Sequence, residues 1–181
     1  MPLTPLHYPV AYIFYKLNKG FSLPGLAVGS MFPDLEIPAI ILLFGTRIPH
    51  RVVLHSLLGA ATLGTMLSVI FTVLIYPPLT SGLIKIDKNK VEGKCRLSST
   101  LFFSCLLGNL SHVLLDVVNH PHNPLFWPFS LSTPSPICLA LGGMENASLI
   151  AYTILTILIV LFAALLIGQR RVLWEKLLVG E

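Results

Sequence analysis

The chain has 181 residues, of which 54% are hydrophobic and only 11% charged, and its mean hydropathy is +0.80. An average soluble domain is roughly 25% charged, so twelve basic and eight acidic side chains are too few to dissolve a chain of this length. That excludes disorder and an ordinary soluble enzyme, and the net charge of +4 comes without the basic helix or aromatic-interleaved arginine cluster that a nucleic acid partner requires.

In chain order, the first fifteen residues, MPLTPLHYPVAYIFY, lack a positive n-region, so no cleaved signal peptide is expected. Residues 4–17 are apolar but short of the roughly 20 residues a span needs, which predicts a short, tilted or re-entrant helix. Residues 23–44 form a span interrupted by Pro33-Asp34-Leu35-Glu36-Ile37-Pro38. Residues 52–76 and 147–168 are clear transmembrane helices, and 97–118 is a further one carrying His112 and Asp116. The expected fold is all-α: a single integral membrane domain over 1–181, with four spans plus the short N-terminal helix.

Lysine and arginine collect on the cytoplasmic side of a membrane protein. With Lys16 and Lys19 inside, ten of the twelve cations fall on one face, and only Arg47 and Arg51 fall on the other. The chain is therefore expected in the cell membrane as a multi-pass protein, with loop 77–96 and the C-terminal tail 169–181 cytoplasmic and 87–93 a solvated hairpin. Cys95, Cys105 and Cys138 form no CxxC and are odd in number, which predicts small apolar packing residues rather than disulfides or a thiolate zinc site.

A charged group at the bilayer centre costs roughly 2.5–3.5 kcal/mol, so intramembrane ionisable residues mark function. Here they are His7, Asp34, Glu36, His55, His112 and Asp116. Counting about 1.5 Å per helical residue from the flanking cations puts His7, Asp34 and His112 about 13–24 Å above the cytosolic face, with Asp116 and His55 somewhat higher. The five can meet in the outer half of one bundle.

Local spacing adds to this. His112 and Asp116 are four apart and share a helix face, where they can hold one metal ion or, alternatively, hydrogen-bond each other and tie helices together. If 52–76 is helical from its start, Arg51 and His55 also share a face while His50 diverges by about 140°. His55 is then the ligand candidate, and Arg51 either holds an anionic substrate or snorkels at the membrane edge. The prolines around Asp34 and Glu36 predict a helix break beside protein or a water-filled cavity. Asp34 is the better ligand candidate, and Glu36 either accepts a hydrogen bond behind the ligands or acts as a general base. The outer loop from Asn119 to Phe129 carries His120 and His122, as extra ligands or solvated groups, and Trp127, as part of an interfacial belt or a lid.

An early His followed by PDLE, HRxxxHS and HxxxD with a downstream W-P-F resembles the membrane-bound metal-dependent hydrolases described as LexA-binding and inner-membrane-associated. The likeness covers roughly residues 4–129. The ligand order is also similar to zinc-dependent phospholipase C, and that resemblance implies His7, Asp34, His55, His112 and Asp116 as metal ligands. This chain has no second HxxxE or HxxxD downstream, which departs from the three-metal pattern and leaves one or two ions, zinc first among the divalent metals. The chain is accordingly expected to be a membrane-embedded metal-dependent hydrolase acting on a phosphoester or lipid-derived substrate, with Glu36 and Arg51 as catalytic residues. The alternative is a transporter or relay that passes protons or a divalent ion through the same His/Asp set.

Overall fold

The computed structural model of the chain describes residues 7–167 and 173–180. Helix α1 (Tyr8–Leu17) has ten residues, about 15 Å, half the thickness of a bilayer core. Next come α2 (Leu23–Met31), a 3₁₀ turn (Phe32–Leu35) and α3 (Glu36–Phe44), followed by α4 (Leu57–Leu74), α5 (Tyr76–Ile84), α6 (Lys88–Cys95) and α7 (Ser99–Asn119). A two-residue antiparallel pair, β1 (His122–Asn123) with β2 (Thr133–Pro134), precedes α8 (Pro136–Ala140), α9 (Met144–Ile167) and α10 (Leu173–Leu178). Among the described residues, four helical stretches are long and apolar enough to cross a membrane: Leu23–Arg47, Leu57–Leu74, Ser99–Asn119 and Met144–Leu161. The fold is an all-α bundle with four candidate spans and a short N-terminal helix.

Several expected boundaries move, each for a local reason. The break expected at the prolines is a 3₁₀ turn between α2 and α3, and the chain keeps its direction through it. Pro33 falls at the start of the 3₁₀ turn and Pro38 in the first turn of α3, where a missing N–H costs nothing, so the rod continues through Asp34 and Glu36. Helix α4 starts at Leu57 rather than at 52, because the N–H groups of Val52, Val53 and Leu54 turn to the Glu36 carboxylate instead of entering a helix. Arg51 and His55 therefore sit on a loop, and the shared helix face expected for them does not exist. Ser56 then caps α4, its hydroxyl accepting from Gly59 N–H at 3.0 Å. The hairpin expected over 87–93 is the short helix α6, capped by Asp87 through Asn89 N–H. The last span begins at Met144 instead of 147, and Gly168, Arg170 and Arg171 lie outside the described residues.

The centre of the bundle is the contact between α2 and α7. Gly25-Leu-Ala-Val-Gly29 is a small-xxx-small stripe that lets the two backbones touch. A Cβ on Gly108 would lie 2.6 Å from Leu26 O, and one on Gly29 would run into the backbone of Cys105. The last span is the least buried of the four and touches the rest through Ala147, Ala151 and Leu155.

One end of the bundle gathers the basic segments. The hydroxyls of Tyr8, Tyr15 and Tyr76 donate to the carbonyls of Leu177, Gly180 and Leu178. Lys90 pairs with Glu175 at 3.0 Å, and Val179 is buried with Val28, Tyr76, Ile86, Val91 and Cys95. Lys19 lies over the Tyr15 ring. The end of α1, the α5–α6 region and α10 thus share one end of the bundle.

Candidate metal centre

Four segments bring the polar set together. The residue before α1 supplies His7, the 3₁₀ turn supplies Asp34, the loop ahead of α4 supplies Arg51 and His55, and α7 supplies His112 and Asp116. The imidazoles of His7, His55 and His112 are buried, as is Asp116. The His7 and His112 rings stack at 4.0 Å between centroids, and the His55 ring meets His112 edge-on at 5.4 Å.

The separations discriminate between hydrogen bonding and shared coordination. His112 Nε2 is 3.5 Å from Asp34 Oδ1 and 3.5 Å from Asp116 Oδ2, while His55 Nε2 is 3.6 Å and 3.8 Å from the same two oxygens. Hydrogen bonds between such atoms run to about 3.2 Å. Two donors at about 2.0–2.1 Å from one tetrahedral zinc stand about 3.3–3.4 Å apart. The contacts are too long for the first and within a few tenths of an ångström of the second. Two three-residue groups, His7 with His112 and Asp116, and Asp34 with His55 and His112, have their ligand atoms within 4.8 Å of one another.

The other side of each ring is also occupied. His55 Nδ1 lies 2.8 Å from Glu36 Oε2, and His112 Nδ1 lies 2.8 Å from the Ser30 carbonyl. A carbonyl can only accept, so His112 Nδ1 carries the proton and its Nε2 presents a lone pair. The Glu36 carboxylate imposes the same tautomer on a neutral His55. The Nε2 atoms of His7, His55 and His112 are buried and have no hydrogen-bond partner among the described residues. Imidazoles tied back at Nδ1 with Nε2 open inward are what metal-binding histidines need.

Glu36, expected either behind the ligands or as a base, is engaged at both oxygens. Oε1 accepts from Val53 N–H at 2.6 Å, and Oε2 accepts from Val52 and Leu54 N–H at 3.2 and 3.1 Å besides facing His55. Arg51 Nη1 lies 3.3 Å from Asp116 Oδ2, which holds the guanidinium against the cluster.

A family model described as YdjM inner membrane protein matches residues 8–179. The chain belongs to the YdjM inner membrane protein family. The matched region of this YdjM-family protein holds all four candidate spans and every member of the polar cluster except His7, which immediately precedes it. Comparison with curated proteins and with solved structures gives no match.

The Ser30 carbonyl and the choice between His120 and His122 are the features of the YdjM-family cluster that its sequence leaves open. The Ser30 carbonyl acts through the backbone, and its meeting with His112 depends on the α2–α7 approach. The small-residue spacing Gly25-xxx-Gly29 is the available signal for that approach. Of the two histidines, His120 turns to the cluster, with its Nε2 buried 4.0 Å from Asp116 Oδ1, whereas His122 is exposed. All three cysteines are buried and free, in keeping with a packing role.

Proposed function

We propose that this YdjM-family protein is a membrane-embedded metal-dependent hydrolase, with His7, Asp34, His55, His112 and Asp116 as ligands for one or two divalent ions, zinc first among them. The observation that carries this reading is the convergence of the His55 and His112 Nε2 atoms on Asp34 Oδ1 and Asp116 Oδ2 at non-hydrogen-bonding distances, with His7 stacked on His112 and grouped with it and Asp116 closely enough for one ion. Charge supports it. Asp116 faces the Arg51 guanidinium, and buried carboxylates gathered beside imidazoles are costly unless cations join them. One ion among Asp34, His55, His112 and Asp116 leaves His7 and the second Asp116 oxygen for another.

A bound zinc supplies Lewis acidity and lowers the pKa of its water to about 7. The chain's own residues do the rest. Glu36 is a positioning residue that holds His55 and its loop, and the Ser30 carbonyl holds His112. Asp34, 3.6 Å from His55 Nε2 and 3.5 Å from His112 Nε2, takes the proton of the attacking water. Arg51, beside Asp116, holds the anion of the substrate, for which a phosphoester of lipid origin suits a site built inside a bilayer bundle. The charge bias places loop 77–96 and the C-terminal segment in the cytoplasm, with the site in the outer half of the membrane.

The test is phosphate release from a short-chain phosphatidic acid by detergent-purified protein, with zinc and after chelation. Zinc-dependent release that is lost in His55→Ala is expected. Release indifferent to both treatments, or zinc flux into proteoliposomes without any release, would contradict the hydrolase reading.

A further inference from the structure

The Asp116 carboxylate is flanked on both oxygens. Arg51 Nη1 stands 3.3 Å from Oδ2, and His120 Nε2 stands 4.0 Å from Oδ1. The second distance is too long for a hydrogen bond, and His120 Nε2 and Arg51 Nε are both buried without a hydrogen-bond partner among the described residues. Buried polar atoms require partners, so this side of the cluster holds unmet hydrogen-bonding capacity: Arg51 Nε as a donor, both Asp116 oxygens as acceptors and His120 Nε2 as either. Several backbone contacts fix the position of His120. Its N–H donates to Asp116 O at 2.9 Å and its carbonyl accepts from Asn123 Nδ2 at 3.0 Å. Ser135 then fastens the loop, its N–H to Pro121 O at 2.8 Å and its hydroxyl to Val117 O at 2.5 Å, while Leu57 N–H reaches Leu125 O at 3.0 Å. His122, two residues on, is left outside.

We infer that Arg51 and His120 form the recognition subsite for a terminal phosphoryl group, seated against Asp116. This rests on the hydrolase reading and deepens it, because it assigns a phosphomonoester as the substrate class and adds His120 as a substrate-binding residue. His120 belongs to neither of the donor groups compact enough for one ion. An arginine and a neutral imidazole N–H set on either side of one carboxylate offer several donors to a group with three terminal oxygens, more than a carboxylic ester could use.

The test uses the detergent-purified full chain equilibrated with zinc, and measures zinc content together with the calorimetric binding of inorganic phosphate and of dioctanoyl phosphatidic acid. His120→Ala and His120→Asn weaken phosphate binding about tenfold, the scale of one charge-assisted hydrogen bond, and leave zinc content unchanged. His120→Gln, whose amide N–H can reach the place of Nε2, restores most of the affinity. Tighter binding of the lipid than of inorganic phosphate assigns the group to a lipid, and equal binding assigns it to a soluble ester. Zinc lost in His120→Ala would make His120 a ligand and overturn the subsite, as would phosphate binding that all three variants leave unchanged. Absence of zinc from the wild type defeats the hydrolase reading separately. In that case the subsite stands if phosphate binding to the metal-free protein still depends on His120, and falls if it does not.

Discussion

Glu36 Oε2 lies 2.8 Å from His55 Nδ1, and the same carboxylate gathers the N–H groups of Val52, Val53 and Leu54. One buried side chain therefore orients an imidazole and folds the loop that carries it. Glu36→Gln replaces one acceptor oxygen by a donor that faces other donors. A tenfold to hundredfold loss of zinc affinity is expected, roughly the cost of removing a partner that orients a ligand, with helical content by circular dichroism unchanged. Chelator competition on purified protein checks it, and unaltered affinity would remove Glu36 from the positioning role.

The α2–α7 contact makes a second prediction. Gly29→Leu and Gly108→Val place side chains where backbone now stands, and overpacking of this kind costs about 1–3 kcal/mol or more. Both variants should unfold at lower temperature in detergent and bind zinc weakly, since Ser30 and Asp34 would move away from His112. Gly82→Ala is the contrast. A Cβ there meets nothing within 4 Å in the last turn of α5, and the change should be neutral or stabilising by about 0.5–1 kcal/mol.

Orientation is tested at Asn89, which is exposed on α6. Asn89→Cys should react with a membrane-impermeant maleimide only from the cytoplasmic side. The native cysteines give little background: all three are buried, and burial pushes the Cys95 thiol up to about 12. Labelling from outside would invert the assignment of loop 77–96.

Much of this arrangement is legible in the residue order, and what is not has physical causes. With so few charges in the chain, Asp34, Glu36 and Asp116 stand out inside apolar stretches, and counting residues from Lys19 and Arg96 puts their depths together before any coordinates are known. The all-α class follows from the same apolar lengths. The start of α4 does not, because local pattern makes 52–56 helical and only a carboxylate sixteen residues upstream, Glu36, draws those N–H groups away. Pro33 and Pro38 read as breakers when taken in sequence, yet each lands in a first turn where helices accept proline. The asymmetry between His120 and His122 is equally invisible in a Pro-rich stretch, since the pairing of His122 with Pro134 and of Asn123 with Thr133 decides which ring turns inward.

The central claim is that His7, Asp34, His55, His112 and Asp116 hold a metal. The most direct measurement is the metal content of detergent-purified protein by mass spectrometry, for the wild type, His112→Ala and Asp116→Asn. One or two zinc ions per chain in the wild type, lost in both variants while each stays folded, is the predicted result. A folded wild type that retains no divalent metal, even after equilibration with zinc, would contradict it.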